Sequence, residues 1–419
     1  MKKFFLILLT GLSLCSTGIA QGPTFQQLMK LVDEKNYFKT KEIYDLKQND
    51  LSLVEQQLIG IFTDNAFNRL EASNHMINLL LQSHNNFPDS ILLAIYRTKE
   101  DNCSKLYRYK EAKEAAETIL TSFEQLLSPD EKDEVQNNLK IWTALENEPA
   151  QEVSIPETNR LKMEKDKAGL NNLKISTEND TLNFIFDTGA NLSTTSLSTA
   201  QRLHMKIIPV DIEVGTITGE SVQSQLAICP LMVLGNIRIR NAVFLVLEDK
   251  ALAFPQIDYQ IYGILGFPVI EALREIQVTQ DGYFIVPLEE TQMNQPSNMA
   301  MNGLTPLIYM DGMHFTFDTG ADQTLLYHAF YQENKAEIES RYQPEKASFA
   351  GAGGAKEFDG YIINRDFHVM DRQISLKDIH VIKERIKEEE TVYGNIGQDL
   401  IRQFEKMTIN FDRMFIKFD

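Results

Sequence analysis

Residues 184–190 read Phe-Ile-Phe-Asp-Thr-Gly-Ala, and residues 315–321 read Phe-Thr-Phe-Asp-Thr-Gly-Ala, 131 positions later. The same offset carries Tyr262-Gly263-Ile264-Leu265-Gly266 onto Tyr393-Gly394-Asn395-Ile396-Gly397, and Asp281, Phe284 and Ile285 onto Asp412, Phe415 and Ile416. Three separated blocks holding one register mark an internal duplication. Two homologous halves are expected, over 160–290 and 298–419, joined near 289–302. Short alternating runs of β-branched and aromatic residues, as at 182–186, 231–233 and 242–247, are punctuated by Gly, Asn and Asp. That texture predicts an all-β region.

Upstream the pattern changes. Stretches 67–81 and 106–120 carry apolar residues at helical spacing among good helix formers, and Pro88 and Pro129 fall between periodic stretches, where helices start. The small residues Thr40, Ala72 and Ala112 sit in similar contexts, spaced 32 and 40 apart. This is close to a helix-hairpin repeat of tetratricopeptide (TPR) type, with an unspecialised helical bundle as the alternative. Such a layer is expected to dock either a protein partner or the neighbouring domain. The polar stretch 146–158 then serves as a linker. The expected chain is therefore multidomain: a leader at 1–20, an all-α domain at 21–150 and two β lobes.

Lys and Arg number 41 against 59 Asp and Glu, a formal net charge of −18. A polyanion repels nucleic acid and anionic lipid, so neither is an expected partner. Of three Cys, one lies in the leader, and Cys103 and Cys229 lack metal-ligand spacing. Neither a disulfide framework nor a zinc site is expected. Met1-Lys2-Lys3 forms a cationic start, 4–15 an apolar core too short to cross a bilayer, and Gly18-Ile19-Ala20 a small-residue cleavage site. The reading is a cleaved signal peptide and an exported protein, periplasmic or secreted, with no membrane segment after cleavage.

One Asp-Thr-Gly means little, because any tripeptide arises by chance in roughly one chain in twenty of this length. Its repetition in register, each copy preceded by Phe-x-Phe and followed 79 residues later by a Gly, carries the weight. Over 160–419 the chain resembles the aspartic proteases, and its DTGA motifs look closest to the retropepsins. Here the two lobes are fused, as an exported bacterial type with a helical region in front. The resemblance implies Asp187 and Asp318 as the catalytic pair, with Thr188, Gly189, Thr319 and Gly320 supporting the active-site loops. It implies that each Thr hydroxyl braces the opposite loop, and that Gly266 and Gly397 close the loop beside each Asp strand. Asn395 departs from the pattern, standing where the family has an apolar residue.

The chemistry behind such a pair is general. Hydrolysis without a metal or covalent intermediate needs one group to deprotonate water and another to protonate the carbonyl oxygen. Two carboxyls about 3 Å apart cannot both ionise, so they share one proton and supply both functions. The glycine after each Asp-Thr lets the two backbones approach where a Cβ would clash. Phe184, Phe186, Phe315 and Phe317 are expected in the core, not against substrate. The family also has flaps over the cleft, and the counterparts are 214–221, with Gly215 and Gly219, and 349–356, with Gly351, Gly353 and Gly354. Such flaps pair with an extended peptide by strand addition.

Rival chemistries lack their motifs: there is no HExxH, GxSxG, GxxxxGK[ST] or helix-opening GxGxxG. No cofactor and no metal is expected. The expected function is an aspartic endopeptidase acting on exported or periplasmic polypeptides. The alternative is a non-catalytic peptide-binding module of the same fold with a helical partner-binding domain.

Overall fold

The computed structural model describes residues 22–83, 86–215, 221–255, 258–351, 354–386 and 391–419, with the side chains of 347–356 outside the description. The expected leader at 1–20 lies outside the described residues. Helices come first: α1 (Pro23–Asp33), α2 (Tyr37–Lys47), α3 (Leu53–Ala66), α4 (Leu70–Gln82), α5 (Asp89–Lys105), α6 (Tyr109–Ser122) and α7 (Pro129–Leu145). Strands dominate after Glu152. Local chemistry sets several helix starts. Ser52 with Glu55, and Ser128 with Glu131, form reciprocal capping boxes, and Pro129 occupies the first turn of α7. Among the described residues no helix is long and apolar enough to cross a membrane.

α1–α2, α3–α4 and α5–α6 form hairpins closed by one recurring turn. Lys35, Asn68 and Tyr107 take the left-handed conformation at φ 57°, 57° and 56°. The next residue's N–H then reaches back five positions: Asn36 to Leu31 O, Arg69 to Asp64 O and Arg108 to Cys103 O, at 2.7–2.9 Å. Five residues beyond each left-handed turn stands a fully buried small side chain, Thr40, Ser73 or Ala112. The expected middle member, Ala72, faces outward instead. Helical spacing fixes a face only to within a residue, and the turn shifts the true register to Ser73.

The first β lobe is built on a nine-stranded sheet and the second on an eight-stranded sheet. A five-stranded sheet joins them: Asn159–Lys162, Tyr283–Val286, Glu275–Thr279, Lys406–Asn410 and Phe415–Phe418. At its centre Gln277 pairs antiparallel with Thr408, its own equivalent at the duplication offset, and Glu275–Thr279 runs against Lys406–Asn410 about that pair. The pseudo-twofold therefore passes through the Gln277–Thr408 pair.

The helices share cores with both lobes. Phe38 of α2 stacks on Tyr309 at 4.7 Å between ring centroids. Residues of α5–α7 such as Ala116, Ile141 and Trp142 pack with Ile212, Leu226, Ile228, Val243 and Leu245 of the first lobe. Two hairpin turns reach the same junction: Asn68 Nδ2 donates to Glu271 Oε1 at 3.0 Å, and Tyr107 Oη to Pro268 O at 3.2 Å. The helical layer docks on the neighbouring β region.

Candidate active site

Strands Thr181–Phe186 and Met313–Phe317 each end one residue before an Asp. Phe184, Phe186, Phe315 and Phe317 are all buried, which anchors both strands as expected. A second short strand lies parallel to each, Leu265 beside Phe186 and Ile396 beside Phe317. Asp187 N–H donates to Leu265 O at 3.3 Å, and Asp318 N–H to Ile396 O at 2.9 Å. Gly266 and Gly397 sit against the returning loops, where a Cβ would lie 2.5 Å from Leu192 C and 2.7 Å from Gln323 C.

The duplication thus brings the two Asp-Thr-Gly turns face to face. Thr188 N–H donates to Thr319 Oγ1 and Thr319 N–H to Thr188 Oγ1, both at 3.0 Å. Each hydroxyl donates onward across the axis, Thr188 Oγ1 to Phe317 O at 2.7 Å and Thr319 Oγ1 to Phe186 O at 3.0 Å. A Cβ on Gly189 would lie 2.5 Å from Asp318 Cγ, and one on Gly320 would overlap the Asp187 carboxyl in the same way. Only glycine lets each carboxyl lie over the opposite loop. Within each turn, Gly189 N–H donates to Asp187 Oδ1 and Gly320 N–H to Asp318 Oδ1, both at 2.8 Å.

Burial, the charge of Asp318 and a hydrogen bond to Asp318, in that order, raise the Asp187 carboxyl well above its ordinary range.

Of the expected flap residues, Gly215 ends a strand whose antiparallel mate starts at Ser221, and Gly351 pairs with Gly354 in the second lobe. Each segment is a hairpin stem, while Gly219 and Gly353 lie outside the described residues. The first stem is held from outside: Asn137 of α7 donates through Nδ2 to Glu213 O at 2.6 Å, and Glu213 N–H donates to Asn137 Oδ1 at 2.9 Å. His314, near the second Asp, is buried edge-on to Tyr393, and burial pushes its imidazole down to about 4.

Two polar residues lie beside Asp318: Thr316, which sequence reasoning passed over, and Asn395, which it marked only as a departure from the family pattern. Asn395 Nδ2 donates to Asp318 Oδ2 at 2.8 Å, and Thr316 Oγ1 donates to Asn395 Oδ1 at 2.5 Å. The signal was present in the alignment of the halves, where Ile185 and Ile264 become Thr316 and Asn395.

The sequence model of one family, described as aspartyl protease, matches residues 173–269, which include Asp187 and Gly266. The β region has an aspartic-protease-like fold. Solved structures similar to it include basic 7S globulin from soybean, at 10% identity and TM-score 0.40, covering 63% of this chain and 94% of that one. Conglutin gamma, a basic 7S globulin from lupine seeds, is similar at 10% identity and TM-score 0.38, covering 63% and 95%. No curated protein matches the chain.

Proposed function

We propose that the protein is an aspartic endopeptidase whose catalytic residues are Asp187 and Asp318. The observation that carries this reading is the placement of each carboxyl over the opposite lobe's glycine, a geometry in which two carboxyls share one proton. The ionised carboxylate takes a proton from water as the water oxygen attacks the peptide carbonyl carbon. The protonated partner gives its proton to the carbonyl oxygen. The resulting diol collapses as the C–N bond breaks and the nitrogen takes a proton back. Thr188 and Thr319 hold the two loops in place, and the hairpin stems ending at Gly215 and at Gly351–Gly354 offer strand edges to an extended peptide.

The charged leader, its short apolar core and the small residues before Gln21 support export, with exported or periplasmic polypeptides as substrates. The helical hairpins are assigned a role in seating the first lobe's flap stem, with their remaining faces free to meet a protein partner.

The test is incubation of the purified full chain with a diverse peptide mixture, with and without a statine inhibitor. Internal cleavage that statine suppresses, and that Asp187→Asn and Asp318→Asn each abolish, is the expected result. Saturable peptide binding with no cleavage at any pH would replace this reading with the non-catalytic module. Undiminished cleavage by either variant would remove the pair from the chemistry.

A further inference from the structure

Gly189 N–H donates to Asp187 Oδ1 at 2.8 Å while Ala190 N–H bonds the Asp187 main-chain oxygen at 3.3 Å, and Gly320 and Ala321 N–H both donate to Asp318 Oδ1, at 2.8 and 3.0 Å. The side chains differ further. Asp318 Oδ2 also accepts from Asn395 Nδ2 at 2.8 Å, whereas the equivalent of Asn395 in the first lobe is Ile264, which has nothing to donate.

The amide of Asn395 is fixed in this sense by Thr316. These two residues pair across parallel strands, as Ile185 and Ile264 do in the first lobe. The Thr316 hydroxyl contacts Asn395 Oδ1 at 2.5 Å and Gly394 O at 3.2 Å, so its proton goes to the nearer amide oxygen. That leaves the NH2 end facing Asp318. Asn395 is buried, so its donor has no water to turn to. A fixed donor in a dry site favours a carboxylate acceptor over a neutral acid.

Resting on the reading of the two aspartates as a catalytic pair, we propose that Asn395, oriented by Thr316, is a positioning residue that makes Asp318 the ionised base and leaves the shared proton on Asp187, the acid. Asp318 then removes the proton from water, and Asp187 protonates the carbonyl oxygen. Among the described residues the titratable group facing each aspartate is the other, and their remaining polar contacts are the backbone amides of Gly189, Gly320 and Ala321, and Asn395.

The test uses the full chain, Asn395→Ile, and Thr316→Ile/Asn395→Ile, which copies the first lobe's apolar pair into the second and preserves packing. Two measurements are made on each: the pH profile of kcat/KM on a cleaved peptide, and the titration of Asp318 13Cγ, assigned by its absence in Asp318→Asn. Loss of a hydrogen bond to a charged acceptor is expected to raise the acid limb and the Asp318 midpoint by about one pH unit or more, with the alkaline limb in place. An Asp318 midpoint that stays or falls would overturn the proposal. So would a uniform drop in kcat/KM with both limbs unmoved, which is what mere structural damage gives. A parent chain that cleaves nothing would sink the peptidase reading alone, because the carbon titration still decides where the charge resides.

Discussion

Thr188 and Thr319 each donate a backbone N–H to the other's hydroxyl at 3.0 Å, and each hydroxyl donates in turn to a carbonyl of the opposite lobe. Four buried hydrogen bonds are thereby tied to two side chains, at the point where the aspartates emerge. Thr188→Val keeps the shape but strands the Thr319 N–H and the Phe317 carbonyl. It is expected to lower stability by about 2–4 kcal/mol, read as the denaturant midpoint, and to reduce peptide cleavage further. Thr188→Ser retains the hydroxyl and should stay within about 1 kcal/mol of the parent; an equal loss in both variants would assign the effect to packing.

The Asp187 carboxyl is held above its ordinary range by burial and by Asp318. The folded chain therefore keeps a proton that the unfolded chain has released, and stability attributable to this site is lost as pH rises from the ordinary aspartate value through the raised one. Asp187→Asn removes the titration. Its melting temperature should gain on the parent's as pH is raised from 4 to 8, even though cleavage disappears. A difference independent of pH would contradict the linkage.

Within the helical layer, Glu100 of α5 is buried and accepts from Trp142 Nε1 at 2.9 Å, and burial raises its carboxyl to about 7. Its contribution is fully present below the ordinary Glu range and is withdrawn as pH climbs through 7. Glu100→Gln keeps an acceptor for the indole and abolishes the titration. It should narrow the stability difference between pH 5 and pH 8 by roughly 2–3 kcal/mol. Trp142 is the single tryptophan, so the parent's fluorescence should titrate near 7 and the variant's should not.

Asn137 brackets the backbone of Glu213 with two hydrogen bonds, joining α7 to the hairpin stem of the first lobe that ends at Gly215. Both lie at the exposed surface, so Asn137→Ala should cost less than about 1.5 kcal/mol of global stability. The local effect should be larger in kind: amide exchange at Glu213 and its strand neighbours should speed up while exchange in Glu275–Thr279 is unchanged. Equal acceleration in both strands would mean global loosening.

Much of this molecule could be read without coordinates, because duplication places a residue's structural twin at a fixed offset. The strand before each Asp, the buried phenylalanines and the glycine that meets the opposite carboxyl follow from two seven-residue stretches. Asn395 was visible as a departure, but its meaning was not. Thr316 lies beside it only through a parallel strand contact spanning 79 residues, and one altered residue seen alone resembles drift. The helical register slipped by one at Ala72 because the hairpin turns use Lys35, Asn68 and Tyr107 in left-handed conformation, and none is the glycine that would have flagged a turn. Docking of α5–α7 onto the first lobe left no trace in periodicity, since an apolar face reads alike whatever covers it.

The strands that meet at Gln277 and Thr408 carry a consequence for how the halves belong together. Their union is sewn by the main-chain ladder between Glu275–Thr279 and Lys406–Asn410, and the polypeptide bridge near residues 289–302 adds only side-chain ties such as Glu290 to Arg274 and Arg413. That bridge is a leash whose ends are already fastened elsewhere. Cutting it would leave a nicked two-piece assembly, much as if a pair of separate subunits had been restored.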